Sequence, residues 1–140
     1  MHIKPEIALA IDIGGSKYMV GLVDHNGHIL YSLKGSWQQL TAKAVLGTVL
    51  AASKKVLRAC PGVQPAFAGI TIPGLANPLA GLWVKASFSG IENLPIVTIL
   101  QQELGLACYA DNDGQACTLA EKMFGGGQGC KSFLYITVSN

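Results

Sequence analysis

The sequence predicts an α/β domain built on a mixed sheet. Three observations carry that prediction. Apolar runs over residues 7–13, 18–24 and 29–33 follow one another with only tight turns between them. From residue 41 onward, helical and strand-like patterns alternate, the order that lays helices against a sheet. Half of the 140 residues are apolar and 13% are charged, which suits one globular domain with a real core.

Ile7, Leu9, Ile11 and Ile13 alternate with Ala8, Ala10 and Asp12. Both faces are mostly apolar, as in a central strand covered on two sides. Asp12 lies on the small-residue face, where a buried carboxylate needs a partner. Gly14-Gly15-Ser16-Lys17 then turns the chain into a second strand, Tyr18 to Asp24. Asn26-Gly27 predicts a type I′ hairpin turn, with both central residues at positive φ, and Ile29 to Leu33 is the third strand.

Residues 41–58 read as a helix. Val45, Val49 and Val56 share a stripe with Leu46, Leu50 and Leu57, leaving Lys43, Lys54, Lys55 and Arg58 to water. Thr41 caps its start and Pro61-Gly62 marks its stop. Ala66 to Ile72 is a fourth strand ending at Pro73-Gly74. Asn77-Pro78 and Ala80-Gly81 are turns around a short extended excursion. Ile96, Ile99, Leu100 and Leu104 space as a helix, with Pro95 near its start and Gly105 at its end. Leu106 to Ala110 is a strand and Asn112 to Phe124 a helix. The glycine run from Gly125 to Gly129 reads as a flexible connector, and Phe133 to Val138 as a last strand.

The bulk properties exclude several classes. Net charge is +2, with scattered Lys and Arg, so no basic stripe predicts a nucleic-acid partner. No apolar run approaches the roughly 18 residues that span a bilayer, and no positive-then-apolar leader precedes the first strand. Cys60, Cys108, Cys117 and Cys130 form no CxxC pair and read as reduced core or loop thiols. These features predict a cytoplasmic protein. His2, His25 and His28 have no nucleophile nearby that needs a base, so no Ser-His-Asp or Cys-His set is expected.

Three constellations could carry chemistry. Asp12 stands at a strand end beside a glycine turn. It is either a strand-end residue satisfied by the turn amides or an anchor for a metal-bound phosphate. The turn is not a Walker A loop, whose spacing is longer and which opens a helix. Asp111-Asn112-Asp113 joins a strand end to a helix start. One of the three serves as helix cap, and a carboxylate at the carboxyl end of a strand can also take a proton from an attacking hydroxyl. Gly69-Ile-Thr-Ile-Pro73-Gly74 is either a plain strand-ending turn or a loop that lets a small ligand approach backbone. Trp37 and Trp83 are packing residues or platforms for a sugar.

Taken in order, these motifs resemble the N-terminal lobe of the ROK family (repressors, open reading frames and sugar kinases). Asp12-Ile-Gly-Gly-Ser-Lys17 is similar to its first phosphate motif, with Ser16 where Thr is usual. Ile72-Pro73-Gly74, then Asn77-Pro78 and Gly81, resembles its loop beside the sugar. Asn93-Leu-Pro-Ile96, Leu104-Gly105-Leu106, Asn112-Asp113, Ala120-Glu121 and Phe124-Gly125 follow its later pattern. The resemblance runs nearly end to end. It implies an RNase H-like, actin-like ATPase fold with a mixed five-stranded sheet flanked by helices. Residues 1–140 would form the N-terminal lobe of a sugar kinase that uses ATP and Mg2+.

By the same resemblance Asp113 is the general base for the sugar hydroxyl, and Asn112 bonds a neighbouring hydroxyl. Asp12 organises Mg2+ through water, and Gly14, Gly15, Ser16 and Lys17 border the ATP phosphates. Gly74 offers backbone to the sugar. Ser87 stands where the family often has a sugar-binding Asn, in Ser87-Phe-Ser-Gly90-Ile91 against the usual Asn-Leu-Pro-Gly-Trp, which bears on sugar identity. Gly114-Gln115 also departs from the usual pair. The family's second phosphate loop would begin near Ser139-Asn140. Its adenosine site, its Glu-x-Gly-His sugar motif and its cysteine-rich Zn2+ motif would lie beyond. The chain is thus expected to be a truncated lobe, inactive alone, from a homodimeric protein. The alternative is a sugar-sensing regulator of the same family. Regulators carry a helix-turn-helix region before the first motif, and Asp12 comes too early to leave room for one, which favours the kinase. A relative of acetate or glycerol kinase would fit the fold but not the series from Pro73-Gly74 to Asn112-Asp113. Glucose, fructose, allose and N-acetylmannosamine are all open as substrates.

Overall fold

The computed structural model describes residues 6–38, 40–87 and 89–138. His2 and the expected loop at Ser139-Asn140 lie outside them. Among the described residues, eight strands and three helices occur in the order β1 (Ile7–Ile13), β2 (Lys17–Asp24), β3 (Ile29–Ser36), α1 (Ala42–Ala59), β4 (Phe67–Ile72), β5 (Leu75–Asn77), β6 (Leu82–Ala86), β7 (Ile91–Leu94), α2 (Ile96–Leu104), β8 (Ala107–Asn112) and α3 (Asp113–Phe124).

The main sheet is five-stranded and mixed, in the order β3-β2-β1-β4-β8. β1 pairs antiparallel with β2, and β2 with β3, while β1–β4 and β4–β8 are parallel. The mixture follows from the connections. Tight turns can join only antiparallel neighbours, whereas parallel ones need the long crossovers that α1 and α2 supply. The excursion after β4 is a second, antiparallel sheet, β5-β6-β7.

The core lies on one face of the main sheet. Leu9, Ile11 and Ile13 of β1, Val20 and Leu22 of β2, and Ile70 and Ile72 of β4 are buried against Val45, Val49 and Val56 of α1 and Ile96 and Leu100 of α2. The lysines at 43, 54 and 55 and Arg58 are exposed, as the helical period requires. Thr41 Oγ1 accepts the Ala44 N–H at 3.2 Å, and Gly105 ends α2 in the left-handed region at φ 67°.

The opposite face is open. Ser32, Gly21, Ala10 and Gly69 lie in register across β3, β2, β1 and β4, and with Asp12, Met19 and Thr71 they line a shallow hollow of about 130 Å³. The prediction of a strand covered on both faces therefore holds for β1 on one face only. α3 packs beside β4 and β8 with no buried residue, and its Phe124 ring lies against Gly27 of the β2–β3 hairpin.

Three local expectations are corrected. The β2–β3 turn is not type I′, because Gly27 has φ 84° but Asn26 does not have positive φ. The Asp24 carboxylate decides this. Its Oδ1 accepts the N–H groups of Asn26 and His28, each at 2.9 Å, while Gly27 N–H donates to Asp24 O, so the loop closes around the side chain. The glycine run after α3 is pinned rather than loose. Glu121 Oε2 accepts Gly126 N–H at 2.8 Å, Gln128 Nε2 donates to Met123 O at 2.6 Å, and Lys122 Nζ donates to Cys130 O. Phe133–Val138 forms no strand, and Leu134, Ile136 and Val138 are exposed. Its composition favours a strand, but a strand exists only where a neighbour satisfies its N–H and C=O groups, and it pairs with none of the eight strands.

Candidate functional site

The parallel strands β1, β4 and β8 end together, and each carries a polar residue there. Asp12 is in register with Thr71, Thr71 with Asp111, and Ile72 with Asn112. Neighbouring strands lie about 4.8 Å apart, so Asp12 and Asp111 stand about 10 Å apart with Thr71 between them. This is the end of an open α/β sheet at which ligands gather.

Asp12 is exposed, and Thr71 Oγ1 donates to its Oδ1 at 2.6 Å. Its partner is therefore a hydroxyl on the next strand rather than a turn amide. Beyond Asp12 the turn closes on itself, since Gly14 N–H donates to Lys17 O at 2.8 Å. Gly15, Ser16 and Lys17 are exposed. The amide of Gly14 is thus already used within the turn that was expected to offer it.

On the β8 side, Asn112 holds two elements together. Its Oδ1 caps α3 by accepting the N–H groups of Gly114 and Gln115, at 2.9 and 3.3 Å. Its Nδ2 donates to Gly74 O at 2.7 Å. One amide proton of Nδ2 remains for a ligand. Asp113 opens α3, is exposed, and accepts the Gly114 N–H at 2.8 Å; a carboxylate in the first helical turn is favoured by the helix dipole. Asp111 Oδ1 accepts Asn112 N–H at 2.7 Å, which fixes the backbone just before the cap.

Gly74 has φ 83°, and a Cβ there would come 2.2 Å from Lys85 O, so only glycine fits without a shift. Trp83 is fully buried beneath this loop and donates through Nε1 to Pro73 O at 2.8 Å. Its ring is not available to a sugar. Gly74, Leu75, Ala76, Pro78, Asp111, Asn112 and Gln115 line a cleft of about 420 Å³. Ser87 is exposed one residue beyond β6. It follows Lys85 and Ala86, against which Gly74 packs.

The geometry thus gathers Asp12 and the turn on one side, and Gly74, Asn112 and Asp113 on the other, bridged by Thr71. Sequence reasoning did not single out Thr71. Its signal was weak but present: a hydroxyl on the same face of β4 as Asp12 on β1. Among the described residues, no group of three or more His, Cys, Asp or Glu side chains could cage a metal. The four cysteines are unpaired, and burial pushes the Cys108 thiol up from its ordinary value. No helix of the described residues is long and apolar enough to cross a membrane.

The ROK family model matches residues 8–140. The chain is 27% identical over 131 residues to a glucokinase of Thermotoga maritima, covering 93% of this chain and 41% of that protein. It is 25% identical over 138 residues to a putative xylose repressor of a Caldicellulosiruptor species, covering 94% of this chain and 34% of that one. The structure of a ROK family glucokinase from Streptomyces griseus, in complex with glucose and AMPPNP, superposes with a TM-score of 0.79 at 28% identity over 90% of this chain and 38% of that one. The chain therefore spans well under half the length of these relatives. Its fold is that of the ROK actin-like kinases, and the chain belongs to the ROK family.

Proposed function

We propose that the chain is the N-terminal lobe of a sugar kinase that transfers the γ-phosphoryl group of ATP to a sugar hydroxyl. One observation supports this reading above the others. Asp12 with its turn and Asp113 with its cap stand at the same end of the sheet, beside a cleft floored by Gly74 and Asn112. In this reading the sugar lies in the cleft, held by the backbone at Gly74 and the free Nδ2 proton of Asn112. Ser87 reaches the ring in place of a longer amide. The Asp113 carboxylate takes the hydroxyl proton as the oxygen–phosphorus bond forms, and the bond from the γ-phosphorus to the β–γ bridging oxygen breaks to release ADP.

The Gly14–Lys17 turn borders the phosphates. The donor set fits Mg2+ arriving with the nucleotide: one exposed carboxylate at Asp12 and, among the described residues, no all-protein cage, which suits an ion that keeps most of its water. Bound there, Mg2+ would supply charge neutralisation on the phosphates. The remaining elements of the proposal concern the whole protein. It would be a cytoplasmic homodimer acting on sugar and ATP rather than on nucleic acid or membrane, with any Zn2+ held by a C-terminal lobe. Both lobes are needed to position ATP and exclude water, so this lobe alone should release no ADP.

The similarity to a putative xylose repressor supports a second reading, a sugar-sensing regulator lobe. ADP release from the parent polypeptide, followed with Mg·ATP across a sugar panel, separates the two. Sugar-dependent turnover supports the kinase. Sugar binding without turnover overturns it in favour of the sensor.

A further inference from the structure

The Gly14–Lys17 turn is shaped by a side chain outside it. Trp37 follows directly on β3, and its indole Nε1–H donates to Gly14 O at 2.9 Å. Its own N–H donates to Ser16 O at 3.3 Å, and its ring packs on Tyr18 with centroids 4.9 Å apart. The turn is tight as well, since a Cβ at Gly14 would lie 3.0 Å from Lys17 O.

The peptide bonds are all trans among the described residues, and in a trans peptide the C=O and the following N–H point in opposite directions. Fixing Gly14 O on the indole therefore fixes Gly15 N–H on the side away from it. Gly14 N–H is already taken by Lys17 O and is not offered to a ligand. We infer that Trp37 is a positioning residue for anion binding. Its indole hydrogen bond aims Gly15 N–H, so that a phosphoryl oxygen is received by Gly15 and Ser16 rather than by Gly14. This rests on the assignment of the turn to the nucleotide phosphates.

Trp37→Phe keeps an aromatic ring on Tyr18 and removes the donor. The test uses the 15N-labelled parent polypeptide, wild type and variant, with three readouts: amide shifts on titration with Mg·AMPPNP, the 15N heteronuclear NOE of Gly15 without nucleotide, and the melting temperature. In the wild type, Gly15 and Ser16 amides should move more than Gly14. In Trp37→Phe the dissociation constant should rise about fivefold, the value of one hydrogen bond, and the Gly15 NOE should fall. Equal affinity and an equally ordered Gly15 would overturn the inference, as would a Gly14 amide that responds most. If nucleotide moves no turn amide in the wild type, the phosphate assignment fails. The inference for anion binding is then overturned with it, whereas turn amides that move with nucleotide, at unchanged affinity and an unchanged Gly15 NOE in the variant, overturn the inference and leave the phosphate assignment standing. Should Trp37→Phe not fold, replacing the indole by benzothiophene at position 37 keeps the shape without the N–H and gives the same readouts.

Discussion

Gly74 and Asp24 are two residues whose backbone or side-chain geometry allows little substitution, and each makes a prediction. At Gly74 the positive φ and the approach to Lys85 O act together. Gly74→Ala should lower stability by about 2 kcal/mol or more, read as a lower urea midpoint, and a midpoint unchanged from wild type would contradict this geometry. At Asp24, the His28 N–H bonded to the carboxylate holds its pKa below the ordinary value, helped by the His28 side chain and Asn26 N–H. A lowered carboxylate stabilises the fold above its unfolded pKa and loses that contribution as pH falls through the folded one. Asp24→Ala should therefore melt below wild type at pH 7, and the gap should close as pH falls below the ordinary carboxylate range. A gap of constant size across that range would show that the carboxylate charge is irrelevant to the hairpin.

Elements were legible in the sequence where local chemistry decides them. α1 and α2 follow from apolar spacing and from the cap signals at Thr41 and Gly105. Thr41→Ala should cost about 1 kcal/mol, measured by chemical denaturation. What escaped was decided by hydrogen-bond partners, whether near or far in sequence. The type I′ prediction rested on Asn26-Gly27 alone and was overruled by the Asp24 side chain. Phe133–Val138 has strand composition but no ladder partner among the described residues. Trp37 acts on Gly14 across 23 positions and Thr71 on Asp12 across 59, separations for which no local pattern exists. The site motifs themselves were visible, because glycine turns and strand-end carboxylates are local features. Their hydrogen-bond partners were not.

At the scale of the molecule, one face of the main sheet is sealed by α1 and α2 and the other is open. Leu119 and Met123 of α3, Tyr109 of β8 and Leu134 are exposed. The chain spans 41% of the glucokinase and 34% of the putative repressor that it matches, so the catalytic claim belongs to the whole protein. The most direct test is the turnover of Asp113→Asn in the parent polypeptide, with the sugar that wild type phosphorylates. General-base catalysis contributes about 10²–10⁴-fold, so kcat should fall by that range while the sugar dissociation constant stays within a few-fold of wild type. Turnover that survives Asp113→Asn at the wild-type rate would contradict the account.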